Sequence, residues 1–131
     1  MYLSIMKSII TICLCIFCLS ASAQKEIKID DAKSHVGEVV KICTKIYGGK
    51  YFEKDSLTLL NAGAPYPQSP LTVVIRGSAR DQFNKPESYY NGAEVCLTGK
   101  IELYRDKPQI EIKLKSQVIE QLKDHIENKP K

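Results

Sequence analysis

Two segments in which polar and apolar residues alternate constrain the fold of this chain more than any other feature. They span residues 39–46 and 93–101, and each carries one cysteine, Cys43 or Cys96. Such alternation predicts strands with one buried face and one polar face. Both cysteines fall on the polar faces, so antiparallel pairing of the two strands would bring them within disulfide range. The alternative is two separate buried thiols, which the polar faces disfavour.

The N-terminus has the three parts of a secretory signal peptide. Lys7 supplies a positive charge, residues 9–19 form an apolar segment too short to span a bilayer, and Ala21-Ser22-Ala23 provides small residues for cleavage. We therefore assign residues 1–23 to a signal peptide that is cleaved near Ala23. The mature protein is then expected to be secreted or periplasmic, with no integral membrane segment.

The positions of the cysteines agree with an oxidising compartment. Three of the five cysteines lie within residues 1–23, which leaves Cys43 and Cys96 in the mature chain. An even pair of cysteines in a secreted protein predicts a disulfide. The alternatives to secretion are an uncleaved anchor and lipid modification at Cys18, whose preceding residues are larger than a lipidation signal requires.

The length and charge of the mature chain describe one mildly basic domain. We assign residues 24–120 to a single domain, which is long enough to bury a core, and residues 121–131 to a helical tail. Cleavage after residue 23 removes one lysine, so the net charge falls from +4 to +3. This balance allows a polyanionic partner without requiring one.

Five strands are predicted along the mature chain. They are placed at residues 39–47, 57–60, 71–76, 94–104 and 109–114. Gly48 and Gly49 are predicted to end the first strand, and Gly99 is predicted to bend the fourth so that it serves two sheets.

Short helices are predicted at both ends of the domain and between the third and fourth strands. The first spans residues 30–37, with Asp30 as its N-cap and Gly37 at its end. A helical turn is predicted at residues 78–83. The last helix begins near Ser116, because Val118, Ile119 and later apolar residues recur at helical spacing.

The order of these elements matches the plan of an OB-fold, and the residues around the cysteines resemble small secreted bacterial OB-fold domains. Such domains occur alone or attached to extracellular nucleases. The segments that carry the resemblance are residues 32–43, 60–67 and 95–104, within a similarity that covers about residues 30–118. The resemblance implies an all-β fold, a five-stranded Greek-key barrel with short flanking helices.

The resemblance also implies where a ligand would bind. OB-folds hold single strands of nucleic acid on strands two and three and on the loops between strands one and two and strands four and five. Aromatic residues there would stack on bases, and basic residues would pair with phosphates. The candidate residues are Lys50, Tyr51, Phe52, Arg76, Tyr104, Arg105 and Lys107. The alternative for each is barrel packing or ordinary solvated surface.

The predicted sheet face offers no aromatic residue. Its outward residues are taken as Thr58, Leu60, Thr72, Val74 and Arg76, and the opposite alternation is equally free of aromatic residues. We therefore expect binding to depend on the loops and on Arg76, and to be weak and sensitive to salt. Tyr66 is expected to pack over a mouth of the barrel, and the alternative is that its ring offers a flat surface to a ligand. Tyr89 and Tyr90 are expected to cover the end of the barrel.

Catalysis is not expected. The two histidines, His35 and His125, lie far apart and outside any known motif, and Asp30-Asp31 is better explained as a helix cap than as a metal ligand pair. We expect a monomeric binding protein without cofactor or metal, which binds single-stranded nucleic acid weakly and without sequence preference. The alternative is an envelope stress or interaction protein that binds a protein, a cation or a small molecule through the barrel.

Overall fold

The structure is a computed structural model that describes residue 2 and residues 24–121. The predicted signal peptide at residues 1–23 and the predicted helical tail at residues 121–131 therefore lie outside the described residues, except for Tyr2 and Gln121. Within the described part of the chain, no helix combines the length and the apolar character needed to cross a membrane.

Most of the described chain is β-structure. Its strands are β1 (Lys25–Ile27), β2 (Val39–Phe52), β3 (Leu57–Ala62), β4 (Leu71–Arg76), β5 (Glu94–Tyr104), β6 (Lys107–Glu111) and β7 (Val118–Glu120). One α-helix, α1, spans Pro86–Tyr89, and 3-10 helices span Ile29–His35, Glu53–Asp55, Gly77–Gln82 and Lys115–Gln117.

Strands β2 to β6 close into a five-stranded barrel. Strand β2 pairs antiparallel with both β3 and β5, β3 pairs antiparallel with β4, and β5 pairs antiparallel with β6. The parallel pairing of β4 with β6 closes the ring. This is the Greek-key order of an OB-fold, so the predicted fold class is confirmed. Strands β1 and β7 lie outside the barrel, where β1 pairs in parallel with β2 and β7 pairs antiparallel with β5.

Strand β2 is longer than predicted because its glycines form a bulge and do not end it. The register with β3 shifts between Ile46 and Gly49, and the strand continues to Phe52. A Cβ atom on Gly49 would meet the main-chain oxygen of Leu59 and lie 2.9 Å from Leu60 Cδ2. Only glycine allows this close approach, so the residue bends the strand and keeps it paired.

Strand β5 serves two sheets, as predicted from Gly99. Its first part, through Lys100, pairs with β2, and its last part, from Ile101, pairs with β6. A Cβ atom on Gly99 would lie 2.9 Å from Ile110 Cγ1. The glycine therefore lets β6 approach where β5 passes from one neighbour to the next.

The predicted disulfide joins β2 and β5. Cys43 and Cys96 are direct register partners with Cα atoms 3.9 Å apart, and their sulfurs are bonded. Cys96 is also opposite Ile119 of β7 on its other side. The bond therefore links the first and fourth barrel strands across 53 residues of sequence.

The barrel interior is a continuous aliphatic core. Alternate residues of each strand point into it, together with Tyr90, which is 3% exposed. The residues that the five barrel strands contribute to the core are Val40, Ile42, Ile46, Leu60, Ala62, Leu71, Val73, Ile75, Val95, Leu97, Ile101 and Ile110. Tyr90 thus covers an end of the barrel as predicted, whereas Tyr89 is 58% exposed.

The predicted helices differ most from the structure. The N-terminal helix is a 3-10 helix that begins at Ile29, and no side chain caps it, so Asp30 is not its N-cap. Ser116 lies in a short 3-10 turn, and Val118–Glu120 is a strand where a helix was predicted. The β5–β6 turn consists of Arg105 and Asp106, both with positive φ, so β6 begins before the predicted residue 109.

Candidate ligand groove

The outward face of β3 differs from the prediction by one residue. Thr58 and Leu60 are buried, whereas Leu57 and Leu59 are half-buried on the outward face. They lie beside Arg76 and Val74 of β4, of which Val74 is itself 1% exposed beneath its neighbours. The prediction for β4 is correct, and that for β3 is wrong. A threonine can face inward here because Arg80 Nη1 donates a 2.7 Å hydrogen bond to its hydroxyl.

This outward face forms the floor of an open groove of about 490 Å³. The residues that line it come from β2, β3, β4, β6 and the connecting loops. They are Phe52, Asp55, Leu57, Leu59, Tyr66, Thr72, Val74, Arg76, Tyr104, Arg105, Lys107, Pro108 and Gln109. Because Thr72 and Arg76 both line it, the groove follows β4 for at least about 13 Å at the usual rise per strand residue.

One end of the groove lies at the β2–β3 hairpin. Phe52 enters it from β2 and is 36% exposed, and Arg76 enters it from the end of β4. Lys50 lies on the same face of β2, with its ammonium nitrogen 5.0 Å from the centre of the Phe52 ring. Arg76 Nε is 3.3 Å from Glu111 Oε1, which leaves further N–H donors of the guanidinium free to bind.

The other end lies at the β5–β6 turn. Tyr104 is 56% exposed, and the guanidinium of Arg105 lies 5.3 Å from the centre of its ring. Lys107 follows on β6. Tyr66 reaches this groove from the β3–β4 connection and is 77% exposed. The expectation that it packs over the barrel mouth is therefore wrong, and the position fits the alternative of a ring surface open to a ligand.

The structure brings together most of the predicted nucleic-acid-binding residues, but not all. Five of the seven line the groove, and Lys50 lies beside Phe52. Tyr51 points to the other side of β2, where the guanidinium carbon of Arg80 is 3.7 Å from its ring centre. Because neighbouring strand residues face opposite sides, Tyr51 cannot share a surface with Lys50 and Phe52.

The sequence analysis placed Leu57 and Leu59 of the floor on the wrong face of β3, and it gave no role to Asp55 of the rim. Leu57 and Leu59 are two positions apart and share one face of β3. They would have been assigned to the groove if the opposite face of this strand had been taken as the outward one. Asp55 and Tyr66 lie in loops, where alternation gives no signal. Among the described residues, no group of three or more His, Cys, Asp or Glu side chains could hold a metal ion.

The barrel and its groove define the chain as an OB-fold-like domain of a kind suited to binding. No known protein-family profile matches the chain, and no curated protein matches it. Among solved structures, it is similar to a chain described as an aspartyl-tRNA synthetase from Leishmania major Friedlin, with a TM-score of 0.50 and 6% sequence identity. The similarity covers 79% of this chain and 22% of that one, so it concerns the fold of one domain.

Proposed function

We propose that this protein binds single-stranded nucleic acid in the groove, weakly and without sequence preference. The observation that carries the proposal is the placement of aromatic and basic side chains at both ends of an apolar floor. Phe52 and Arg76 lie at one end, and Tyr66, Tyr104 and Arg105 lie around the other. Stacking on aromatic rings tolerates every base, because each base has a π-face.

The magnitudes favour weak binding. Each stacked base contributes about 1–3 kcal/mol, but much of this is offset by the ordering of the ligand. The net charge of the mature chain, +3 after the loss of Lys7 from the full chain's +4, provides little long-range attraction for a polyanion. The tRNA in the name of the similar synthetase supports a nucleic-acid ligand in a general way.

We also propose that the protein is secreted or periplasmic and acts by binding, without catalysis. The Cys43–Cys96 disulfide supports this location, because disulfides persist in oxidising compartments. Small secreted bacterial OB-fold domains, which the sequence resembles, occur in such compartments. Mass spectrometry of the exported protein would test the predicted cleavage near Ala23.

The binding test is a fluorescence anisotropy titration of a labelled oligothymidylate with residues 24–131. We expect binding at about 50 mM salt that weakens with a log–log slope of about −2 to −3, the value for three or four phosphate contacts on a single strand. Absence of binding at low salt would refute the proposal.

Tyr47 provides a matched control for Phe52. Both residues are 36% exposed on β2, and each ring has a lysine ammonium nearby, 5.4 Å from the ring centre of Tyr47 and 5.0 Å from that of Phe52. Only Phe52 lines the groove. We expect Phe52→Ala to weaken oligothymidylate binding about fivefold or more and Tyr47→Ala to leave it unchanged. Equal losses in the two variants would place the ligand outside the groove.

A second candidate is a protein or small-molecule ligand, as in an envelope interaction protein. The half-buried Leu57 and Leu59 of the floor favour it, since this surface suits apolar side chains as well as bases. Binding dominated by that floor would change little with salt, because it would not depend on ion pairs. The slope of the salt titration therefore separates the two candidates.

A further inference from the structure

A charged cluster lies behind the groove, on the inner side of the β2–β3 hairpin. Arg80, from the 3-10 helix Gly77–Gln82, donates hydrogen bonds to both carboxylate oxygens of Glu87 at 2.7 and 2.9 Å. The same guanidinium donates to Thr58 Oγ1 at 2.7 Å and stacks on Tyr51, with its carbon 3.7 Å from the ring centre. The side chains of Arg80 and Glu87 are each 18% exposed.

The cluster contacts the same two strands that supply one end of the groove. Tyr51 and Thr58 are register partners, and the next pair along the hairpin is Phe52 and Leu57. Because successive residues point to opposite faces, the first pair faces Arg80 while the second lines the groove. A displacement of Tyr51 would therefore move the ring of Phe52.

This end of β2 has few other constraints. The pairing of β2 with β5 ends at Lys45. Beyond the bulge, the segment Gly49–Phe52 pairs with β3 alone. The hairpin then turns through the single 3-10 turn Glu53–Asp55. From its inner side this arm is held by the Arg80 cluster, and at its tip the N–H of Gly77 donates a 2.8 Å hydrogen bond to the main-chain oxygen of Ser56.

We propose that Arg80 is a positioning residue for the groove: it fixes the end of the β2–β3 hairpin so that Phe52 faces the ligand. The effect on binding rests on the proposed function, whereas the effect on the hairpin does not. Paired, planar, charge-assisted hydrogen bonds suit this role, because they fix direction as well as distance.

The electrostatics of the pair agree with a persistent contact. The hydrogen bond from Arg80 lowers the pKa of Glu87, and the bond to Glu87 raises the pKa of Arg80. Both groups therefore remain charged over the pH range in which the protein would bind its ligand.

The first test measures amide hydrogen exchange in the absence of ligand, in the wild type and in Arg80→Lys. Lysine keeps the positive charge but lacks the planar fork and the stacking surface. We expect exchange of hairpin amides at residues 50–52 and 57–59 to accelerate about tenfold or more, as on loss of hydrogen bonds to a charged group. Amides of the Val95–Leu97 segment should exchange at the wild-type rate. Unchanged hairpin exchange, or equal acceleration throughout the barrel, would overturn the proposal.

Glu87→Gln is the second variant, and it carries the exchange test if Arg80→Lys does not fold. It keeps the size of the side chain and one acceptor for Arg80, so we expect a smaller acceleration that is confined to the same hairpin. Exchange at the wild-type rate in Glu87→Gln would then overturn the proposal.

The second test is a pair of double-mutant cycles with oligothymidylate. If Arg80 acts through Phe52, Arg80→Lys should weaken binding about threefold or more alone but have little further effect on Phe52→Ala. The loss of binding free energy caused by Arg80→Lys should add fully to the loss caused by Tyr104→Ala, because Tyr104 lies at the other end of the groove. Full additivity in both cycles would contradict positioning through Phe52. If the wild type binds no oligothymidylate, the proposed function falls, and the exchange experiment alone decides the role of Arg80.

Discussion

At the residue scale, a few side chains decide where the barrel bends and which face of a strand is buried. Gly49 lets β3 approach β2 so closely that no Cβ atom fits. Thr58 is completely buried in an otherwise aliphatic strand face because Arg80, 22 residues later, donates to its hydroxyl. The glycine is visible in the sequence, but its role as a bulge is not. The partner of Thr58 is distant in sequence, so the alternation of β3 could not be predicted from its own residues.

Gly49→Ala is expected to destabilise the protein by about 3 kcal/mol, at the upper end for overpacking, because the new methyl group would meet main chain. The matched control is Gly92→Ala, which has open space around it but a φ of +81°, and should cost about 1–2 kcal/mol. Urea unfolding of both variants under oxidising conditions checks this. A loss for Gly49→Ala no larger than that for Gly92→Ala would contradict the described approach of β3.

At the element scale, alternation of polar and apolar residues predicted the five barrel strands, and paired cysteines predicted which two are neighbours. The pattern predicted less at the ends of the domain. Val118 and Ile119 fit helical spacing with later residues, but β-branched residues also suit a strand, and the edge of β5 was available to pair with them. Strand β1 has only three residues and gave no signal. Short edge strands depend on an available neighbour, which local sequence does not reveal.

Val118 and Ile119 provide a test of the strand assignment. In a strand they face opposite sides, and Val118 packs against the core whereas Ile119 is 60% exposed. We expect Val118→Ala to lower the free energy of unfolding by about 1 kcal/mol and Ile119→Ala by less than about 0.5 kcal/mol. Chemical denaturation of the two variants measures both values, and the reverse order would argue against β7.

The disulfide is expected to contribute strongly to stability because it closes a long loop. With the cysteines 53 positions apart in the sequence, the chain-entropy estimate is about 4 kcal/mol. The double variant Cys43→Ala and Cys96→Ala should therefore unfold at a much lower urea concentration than the oxidised wild type. Reduction of the wild type should shift its midpoint in the same direction. Coincident unfolding curves would show that the bond does not constrain the chain.

At the scale of the whole molecule, separate segments cover the two ends of the barrel, and the groove runs between them. The 3-10 helix Ile29–His35 reaches the β5–β6 turn, where Lys33 Nζ is 3.0 Å from Asp106 Oδ2. The other end is covered by the connection from β4 to β5, with Arg80, Glu87 and Tyr90. Five of the seven binding residues predicted from the sequence line the groove, because the fold fixes which loops meet. The sequence did not predict the charged cluster, which depends on how that connection packs.

The Arg80–Glu87 pair predicts a defined dependence of stability on pH. Because the pKa of Glu87 is lowered in the folded protein, its contribution to stability is present above its ordinary pKa and is lost as the pH falls through the folded value. Glu87→Gln lacks this contribution. The difference in unfolding free energy between wild type and variant should therefore be largest near neutral pH and shrink below about pH 4. Thermal unfolding across this range measures the difference, and a constant gap would contradict the assignment.

The central claim is that the outward face of β3 and β4, with its two aromatic and basic ends, is the ligand site. Residue-resolved NMR of the mature protein during titration with an oligothymidylate at low salt tests this claim most directly. The account predicts shift changes at groove residues such as Leu59, Val74 and Gln109, and at the rings of Phe52 and Tyr104, with Lys41 and Thr98 on the opposite sheet unaffected. Shift changes concentrated around Lys41 and Thr98, or none at all, would contradict it.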